Sequence, residues 1–274
     1  MKPTEMHVLL TGASGGIGHA TAHQLAAAGA RVIAVGRHPE RLEQLLAGLP
    51  AAAAGAHLAV AADLGDGAAR RALLTRMQGL DQPPNVLINM AGTNQLRLFD
   101  QQDPAMVTRI IDTNFTNTLL LTQALLPLLR LRPEALIINV GSIFGSIGFP
   151  GYVAYSSSKF ALRGFSEALE RELADTPIRV KYFAPRATRT ALNSGAADAL
   201  NAQLRTPVDS PDEVATALLH FISSSNTQRF LGWPEKLFVR INGLFPGLVS
   251  GSISKQLDTI KVYAKDPHQS EDLP

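Results

Sequence analysis

The feature that most constrains the fold of this 274-residue chain is a regular alternation of short apolar runs with longer helical stretches. The runs are rich in Val, Ile, Leu and Ala and have the length of buried strands. The predicted strands are His7–Leu10, Arg31–Val35, His57–Ala61, Asn85–Asn89, Ala135–Val140 and Ile178–Phe183. The predicted helices are Gly16–Ala28, Pro39–Ala47, Gly67–Met77, Pro104–Leu131 and Val153–Ala174. Strands separated by helices imply right-handed crossovers, and therefore a doubly wound parallel α/β sheet in three αβα layers.

No linker or repeat divides the chain, so we expect one domain over residues 1–274. After Phe183 the rhythm changes, with polar helical segments at Ala196–Arg205 and Pro211–Ser223. Ligands of doubly wound sheets bind beyond the carboxyl ends of the strands, so residues 186–210 are predicted to form a substrate loop. Residues 226–274 read as an apolar C-terminal extension, in which Phe230–Trp233 is a candidate for a short seventh strand.

Composition excludes several classes of function. The net charge is only +2 and the basic residues are scattered, so no nucleic-acid partner is expected. The absence of cysteine removes disulfides and thiolate chemistry, and it is consistent with a cytoplasmic protein. The N-terminus runs into a strand without a signal-peptide pattern, and no segment has the roughly 18 apolar residues of a membrane span. The uncharged stretch Ile241–Ser254 suits either internal packing or peripheral contact with a membrane.

A glycine-rich segment, Thr11-Gly12-Ala13-Ser14-Gly15-Gly16-Ile17-Gly18, follows the first predicted strand and opens the first predicted helix. Glycine allows a tight turn and close approach of the backbone to a pyrophosphate. The helix N-terminus adds free N–H donors and the positive end of its dipole. This position between a strand and a helix predicts a dinucleotide site of the Rossmann type.

The residue after the second strand indicates which dinucleotide is bound. NAD sites place Asp or Glu there to accept hydrogen bonds from ribose, whereas this chain has Gly36-Arg37-His38. A guanidinium attracts and pairs with a 2′-phosphate, so Arg37 favours NADP(H), with Ser14 as a hydrogen-bond partner for that phosphate. The alternative is that Arg37 is an ordinary solvated residue, and Arg41 could add charge or face water.

A tyrosine and a lysine, Tyr155 and Lys159, lie four residues apart on a predicted helix, thirteen residues after Ser142. This spacing places the phenol and the ammonium on one helix face. A nearby cation lowers the pKa of a phenol, which predicts a proton donor and acceptor that works near neutral pH. His19 and His23 share the same spacing, but they lack a third ligand, so no metal site is expected.

Together these motifs resemble the short-chain dehydrogenase/reductase family over roughly residues 6 to 225. Thr11–Gly18 is similar to the family's TGxxxGxG, and Asn89-Met90-Ala91-Gly92 is similar to its NNAG. Asp63-Leu64 is similar to the adenine-contacting pair after the third strand. Asn114, Ser142, Tyr155 and Lys159 follow the order of the family's catalytic tetrad.

The resemblance implies a reaction and a set of roles. Tyr155 would exchange a proton with the substrate oxygen, Ser142 would hydrogen-bond that oxygen, and Lys159 would hold the nicotinamide ribose and lower the Tyr155 pKa. Asn114 would anchor a water in a proton relay, although Asn117 offers a similar amide. Read alone, Ser142 and Asn114 would be ordinary structural residues. The expected cofactor contacts are Gly12, Ser14, Gly16, Ile17, Gly18, Arg37, Asp63, Leu64, Asn89, Ala91, Gly92, Tyr155, Lys159, Pro185, Thr188 and Thr190.

Two departures from the family pattern affect the substrate. Pro185-Arg186 replaces the family's Pro-Gly, so either the loop takes another path or Arg186 meets the substrate or cofactor. The chain also lacks the Asp-Gly-Gly ending of the family's acyl-carrier-protein reductases and continues for about forty residues past Trp233. The apolar candidates for a substrate pocket are Phe144, Ile147, Phe149, Leu192, Leu200, Phe230, Trp233, Leu237, Phe238, Phe245 and Leu248. Their alternative role is core or subunit packing.

The expected activity is therefore NADP(H)-dependent interconversion of a carbonyl and a secondary alcohol on a lipid-like, steroid-like or aromatic substrate. One alternative is a 3-oxoacyl-thioester reductase, for which Arg186, Arg189 and Arg205 are the basic candidates at the pocket mouth. Another is a non-catalytic NADP-binding redox sensor. The family usually assembles as dimers or tetramers through the helices that hold Asn114 and Tyr155, which implies a homodimer or homotetramer here.

Overall fold

Seven parallel strands run through the computed structural model, which describes residues 1–265 of the chain. The strands are β1 (His7–Thr11), β2 (Arg31–Gly36), β3 (Leu58–Ala61), β4 (Val86–Asn89), β5 (Ala135–Val140), β6 (Ile178–Ala184) and β7 (Gln228–Phe230). Their order across the sheet is β3-β2-β1-β4-β5-β6-β7. The order reverses between β1 and β4, and a crevice opens at such a point beyond the strand ends. The expected doubly wound Rossmann-type sheet is confirmed.

Helices cover both faces of this sheet, as the crossovers between parallel strands require. The first six are α1 (Gly16–Ala27), α2 (Pro39–Gly48), α3 (Gly67–Gln78), α4 (Pro104–Ile111), α5 (Asn117–Arg130) and α6 (Val153–Glu172). The later ones are α7 (Gly195–Gln203), α8 (Pro211–Ser223), α9 (Glu235–Leu244), α10 (Pro246–Ser254) and α11 (Leu257–Ala264).

Two apolar layers, one on each face of the sheet, form the core. In β1, Val8 and Leu10 belong to the layer under α1, α2 and α8, whereas Leu9 belongs to the layer under α3, α5 and α6. All five residues of β1 are buried. A strand covered on both faces reads as a continuous apolar run, which is why the sequence predicts these strands well.

Three predicted elements differ from the structure. The third strand begins at Leu58 because the ring of His57 takes over a backbone role, with Nδ1 accepting from the Val32 N–H at 3.0 Å. The seventh strand lies earlier than predicted, since Gln228–Phe230 pairs with β6 and the chain leaves the sheet after Leu231, whose N–H donates to the Ala184 carbonyl at 2.9 Å. The long helix predicted over Pro104–Leu131 is interrupted by a π-helical segment at Asp112–Thr116.

The described part of the C-terminal extension folds back onto the domain. Val239 and Val249 pack against Ile143 and Ile147, and Ile260 and Ala264 pack against Leu96. Residues 266–274 of the predicted extension lie outside the described residues. Within residues 1–265, no helix combines the length and the apolar character that crossing a membrane requires.

Candidate active site

A cleft of about 720 Å³ opens at the carboxyl ends of the strands, beside the crevice between β1 and β4. It is lined by the loops after β1, β2, β3, β4, β5 and β6. The predicted cofactor contacts all line it: Gly12, Ser14, Gly16, Ile17, Gly18, Arg37, Asp63, Leu64, Asn89, Ala91, Gly92, Tyr155, Lys159, Pro185, Thr188 and Thr190. Ser142 and Asn117 line it as well, whereas Asn114 lies behind its wall.

The glycine loop after β1 has no room for side chains at two positions. Gly12 has a φ of +67°, and a Cβ there would lie 2.9 Å from the Ala91 backbone. A Cβ on Gly18 would lie 2.1 Å from the Gly12 carbonyl oxygen. The loop is tied to the end of β4 by Thr11, whose Oγ1 accepts from the Met90 and Ala91 N–H groups at 2.9 and 3.1 Å. The result is a bare backbone surface at the N-terminus of α1, which suits a pyrophosphate.

The end of β2 carries positive charge on the cleft wall. Arg37, His38 and Arg41 are exposed and line the cleft, and the short Gly36 brings the strand end close to Ser14. A Cβ on Gly36 would lie 3.5 Å from the Ser14 Oγ. At the end of β3, Asp63 is exposed and accepts from the Gly65 N–H at 2.9 Å. Basic residues therefore stand where NAD sites carry an acid.

Ser142 is positioned by a residue that the sequence analysis missed. It follows β5 and caps a short turn, accepting from the Phe144 N–H at 3.1 Å. Beneath it, the Tyr182 hydroxyl donates to the Ser142 carbonyl at 3.2 Å and accepts from its N–H at 3.4 Å. The Tyr182 ring is so close that a Cβ on Gly141 or Gly145 would lie 2.1 or 2.3 Å from its hydroxyl oxygen. The sequence feature that could have indicated a bulky neighbour is the pair of glycines around Ser142, Gly141 and Gly145.

Tyr155 does not have the lowered pKa that the Tyr-Lys spacing predicts. Burial raises its pKa because the phenolate loses hydration, and the hydrogen bond with the Ser142 side chain lowers it by less. The Lys159 Nζ lies 5.8 Å from the centre of the Tyr155 ring. It donates instead to the Val140 carbonyl at 3.0 Å. With its pKa raised, Tyr155 is a protonated phenol at neutral pH and can donate its proton.

Lys159 is itself perturbed by its position at the floor of the cleft. Its residue exposure is 5%, and burial lowers its pKa to about 8. This pKa is still above 7, so the ammonium persists at neutral pH. Gly92 leaves the space beside it open, since a Cβ there would lie 3.7 Å from the Lys159 Nζ and 3.2 Å from the Asn114 Oδ1.

Asn114 lies in the π-helical segment and is fully buried. Its Oδ1 accepts from the Thr93 N–H at 2.7 Å, and its Nδ2 donates to the Thr93 carbonyl at 2.9 Å. The same Nδ2 donates to the Ser158 Oγ at 3.0 Å. Asn114 thus joins the loop after β4 to α6, next to Lys159. Its neighbour Asn117 lies on the cleft surface, where its Oδ1 accepts from Arg70.

Asn89 lines the cleft, but its side chain is turned into the protein. Its Nδ2 donates to the Asn139 Oδ1 at 2.8 Å and to the Thr122 Oγ1 at 3.1 Å. Asn139 in turn donates to the Ser166 Oγ at 2.9 Å. These buried polar groups link β4 and β5 to α5 and α6. The contact of Asn89 with the cleft therefore comes from its backbone.

Arg186, which departs from the family pattern, is held in place by two carboxylates. Its Nε and Nη2 donate to the Asp209 Oδ1 at 2.9 and 2.6 Å, and its Nη1 lies 3.4 Å from the Glu235 Oε2. These carboxylates raise its pKa, with the Asp209 hydrogen bond as the largest cause. Arg186 thereby fastens the loop after β6 to the first turn of α9, while part of its surface lines the cleft.

Some of the apolar residues predicted for the substrate pocket line the cleft, and others do not. Phe144, Phe149, Leu192 and Leu200 line the cleft, and Phe144 stacks on Phe149 with ring centres 4.9 Å apart. Ile147 and Phe230 pack behind it. The remaining candidates lie outside the cleft and are exposed on the C-terminal segment: Trp233, Leu237, Phe238, Phe245 and Leu248. Tyr152, which the sequence analysis missed, joins the aromatic wall.

Comparisons with known proteins agree with this geometry. The family profile described as "short chain dehydrogenase" matches residues 6–201. The chain is 32% identical to "Dehydrogenase/reductase SDR family member 7B" of Bos taurus, over 88% of this chain and 78% of that protein. It is 31% identical to "3-oxoacyl-[acyl-carrier-protein] reductase FabG" of Escherichia coli K12, over 69% of this chain and 76% of that protein. A Sphingobium yanoikuyae short-chain dehydrogenase solved with NADPH superposes with a TM-score of 0.75 at 29% identity, covering 89% of this chain and 95% of that one.

Proposed function

Because this chain belongs to the short-chain dehydrogenase family of oxidoreductases, we propose that it uses NADP(H) to interconvert a carbonyl and a secondary alcohol on a hydrophobic substrate. The observation that carries the proposal is the convergence of Ser142, Tyr155 and Lys159 on the floor of a cleft whose other end is a bare glycine loop. One cleft thus holds both a dinucleotide cradle and a proton donor.

The residues of the cleft suit the cofactor. Gly12 and Gly18 would carry the pyrophosphate, Arg37 and Ser14 the 2′-phosphate, and Asp63 with Leu64 the adenine. Ala91, Gly92, Pro185, Thr188 and Thr190 would border the nicotinamide half. When bound, the cofactor supplies the hydride.

The chain's own groups supply the proton and stabilise charge. Tyr155, kept protonated by burial, donates its proton to the carbonyl oxygen as negative charge develops there. The Ser142 hydroxyl is hydrogen-bonded with Tyr155 and is placed to share the same oxygen. The Lys159 ammonium contributes positive charge beneath both groups. Phe144, Phe149 and Leu200 exclude water around the reacting carbon.

A screen of NADPH oxidation against ketones, aldehydes and 3-oxoacyl thioesters of graded chain length tests this proposal. Tyr155→Phe should lower kcat by about a hundredfold or more, since general acid catalysis contributes that much. Affinity for NADPH, measured by fluorescence titration, should stay within a few-fold of the original. Tyr152→Phe is the matched control, because Tyr152 lines the same cleft 6.1 Å from Tyr155, ring centre to ring centre. Undiminished turnover by Tyr155→Phe would rule out this residue as the proton donor.

A second candidate, reduction of 3-oxoacyl thioesters, is favoured by the similarity to the Escherichia coli reductase. Arg186 is occupied by Asp209 and Glu235, which leaves Arg189 and Arg205 as exposed cations for an acyl carrier. Turnover confined to thioesters in the screen would select this candidate. NADPH binding without any turnover would instead select the redox-sensor alternative.

A further inference from the structure

An exposed apolar surface covers the outer side of α9 and α10 and the turn before them. Its six side chains are between 39% and 74% exposed, and none lines the cleft. We call this group the α9–α10 surface; its members are Trp233, Leu237, Phe238, Leu244, Phe245 and Leu248. All six lie within residues 233–248, and such a concentration of exposed large apolar side chains marks a binding surface.

The exposure follows from how the two helices are anchored. In α9, Val239 is 7% exposed and Asn242 donates to the Ser146 carbonyl at 2.9 Å, so this side of the helix faces the domain. Leu237 and Leu244 are two turns apart and lie on the other side. In α10 the buried residue is Val249, next to Leu248, which is 68% exposed. The helices are therefore held by one face and present apolar groups on the opposite one.

Within the described segment from Lys236 to Leu257, the charged residues near these apolar groups are all basic. Lys236, Arg240 and Lys255 are exposed around the surface, and the Lys236 Nζ lies 5.5 Å from the centre of the Trp233 ring. The sequence has no acidic residue between Glu235 and Asp258, and Glu235 is paired with Arg186. Apolar and aromatic side chains mixed with Lys and Arg are the pattern of helices that lie in the interface of anionic membranes.

We propose that the α9–α10 surface docks on a membrane that contains anionic lipids. Trp233, Phe245 and Leu248 enter the boundary between head groups and acyl chains, and Lys236 and Arg240 contact lipid phosphates. A second copy of this chain complements the surface less well, because a twofold contact would bring these like charges together. Glu235 and Gln256 of the same segment line the cleft, so the docked face adjoins the site. Docking at this surface does not depend on which reaction takes place in the cleft.

Vesicle co-sedimentation of the full chain tests the apolar part of the surface. The probes are vesicles of phosphatidylcholine alone and of phosphatidylcholine with about one third phosphatidylglycerol. We expect binding to the second kind only, weakened by salt. Phe245→Ser with Leu248→Ser should lower the partition coefficient about tenfold or more. The control is Phe99→Ser with Leu131→Ser, which removes apolar groups that are 56% and 80% exposed on other elements.

The charged part is tested by Lys236→Gln with Arg240→Gln. This pair should weaken binding to the anionic vesicles about tenfold, since each cation near the surface contributes to attraction. The control is Arg71→Gln with Arg76→Gln on α3, where both residues are exposed. Absence of binding to anionic vesicles, or equal losses in the control variants, would overturn the proposal. So would light scattering that shows the serine variant breaking an assembly while its vesicle binding is unchanged, because the surface would then join two chains.

Discussion

At the scale of the single residue, Arg37 offers the sharpest test of cofactor choice. It is exposed at the end of β2, on the cleft wall beside Ser14. Arg37→Asp replaces a group that attracts a 2′-phosphate by one that repels it and accepts ribose hydroxyls. The ratio of kcat/KM for NADPH over NADH should fall roughly tenfold to a hundredfold or further, as expected for losing a charged hydrogen bond of about 1.5–3 kcal/mol. Arg41→Asp should change the ratio less, and an unchanged ratio in Arg37→Asp would refute the assignment.

Burial of the Lys159 ammonium lowers the stability of the folded chain. The pKa of Lys159 falls from 10.5 unfolded to about 8 folded, so the folded chain binds fewer protons between these values and stability rises with pH across that window. Below pH 8 the buried ammonium destabilises the fold by up to roughly 3 kcal/mol. Lys159→Met should therefore raise the free energy of unfolding at pH 7 by about 1–2 kcal/mol, less than the full amount because the Val140 carbonyl loses its donor.

The measurement for Lys159→Met is urea unfolding of the cofactor-free protein at pH 7 and pH 10, alongside turnover. The gain in the free energy of unfolding should be smaller at pH 10, where Lys159 of the folded wild type is largely neutral. Turnover should be lost at both pH 7 and pH 10. Lys261→Met, at an exposed position on α11, is the control and should leave both curves close to wild type. A gain that does not depend on pH would show that burial of the charge is not its cause.

Two properties of single residues in the site, the pKa of Tyr155 and the position of Tyr182, could not be predicted from the sequence. The placement of Ser142, Tyr155 and Lys159 in one cleft was expected from the order of the family's motifs, and the structure brings the three residues together there. The direction of the Tyr155 pKa shift could not be predicted, because it depends on burial by chain segments distant in sequence. Tyr182 was missed for the same reason: it lies forty residues from Ser142 and supports it from the neighbouring strand.

At the scale of the element, the π-helical segment between α4 and α5 sets the directions of Asn114 and Asn117. A π-turn adds a residue to the helix, and such segments are frequent at functional sites. Here it turns Asn114 toward Thr93 and Ser158 and leaves Asn117 facing the cleft. A disturbance of one added residue is too short to appear in a hydrophobic pattern of period 3.6.

Asn114→Ala tests the role of the Asn114 amide. The substitution leaves the Thr93 N–H and carbonyl without their side-chain partner, so the free energy of unfolding should fall by about 1–3 kcal/mol. If Asn114 also belongs to the proton relay, kcat should fall more than the affinity for NADPH does. Asn117→Ala is the matched comparison and should affect stability less, since the Asn117 Oδ1 accepts from Arg70 in a long hydrogen bond of 3.4 Å. If Asn114→Ala and Asn117→Ala lowered the free energy of unfolding equally and kcat equally, the two amides would have the same role.

At the scale of the whole molecule, the first six strands and most of the helices between them were predictable and the C-terminal segment was not. Strands buried on both faces carry their own apolar signature, as in β1 and β5. The placement of α9 to α11 depends on contacts with Leu96 and Ile143, more than ninety residues away, and on the ion pair of Arg186 with Glu235. Local patterns contain no information about such partners, so the sequence could not decide between a pocket role and a packing role for the apolar residues of this segment. The candidates from Phe230 to Leu248 do not line the cleft.

Two exposed apolar side chains also predict how copies of the chain assemble. Leu120 on α5 and Phe160 on α6 are 39% and 42% exposed, on helices that cover the same face of the sheet. The family's usual dimer and tetramer contacts use these helices, so light scattering should give the mass of two or four 29.3 kDa chains. Leu120→Glu with Phe160→Glu should at least halve that mass, because a twofold contact would bury four carboxylates together.

Phe99→Glu, at a position 56% exposed outside these helices, should leave the mass unchanged. The serine variant of the α9–α10 surface should leave it unchanged as well, since that surface is proposed to meet lipid and not protein. The two exposed apolar surfaces thus predict opposite outcomes: the glutamate pair changes mass and spares vesicle binding, and the serine pair does the reverse. An unchanged mass in the glutamate variant would exclude α5 and α6 as the interface, whatever the behaviour of the membrane surface.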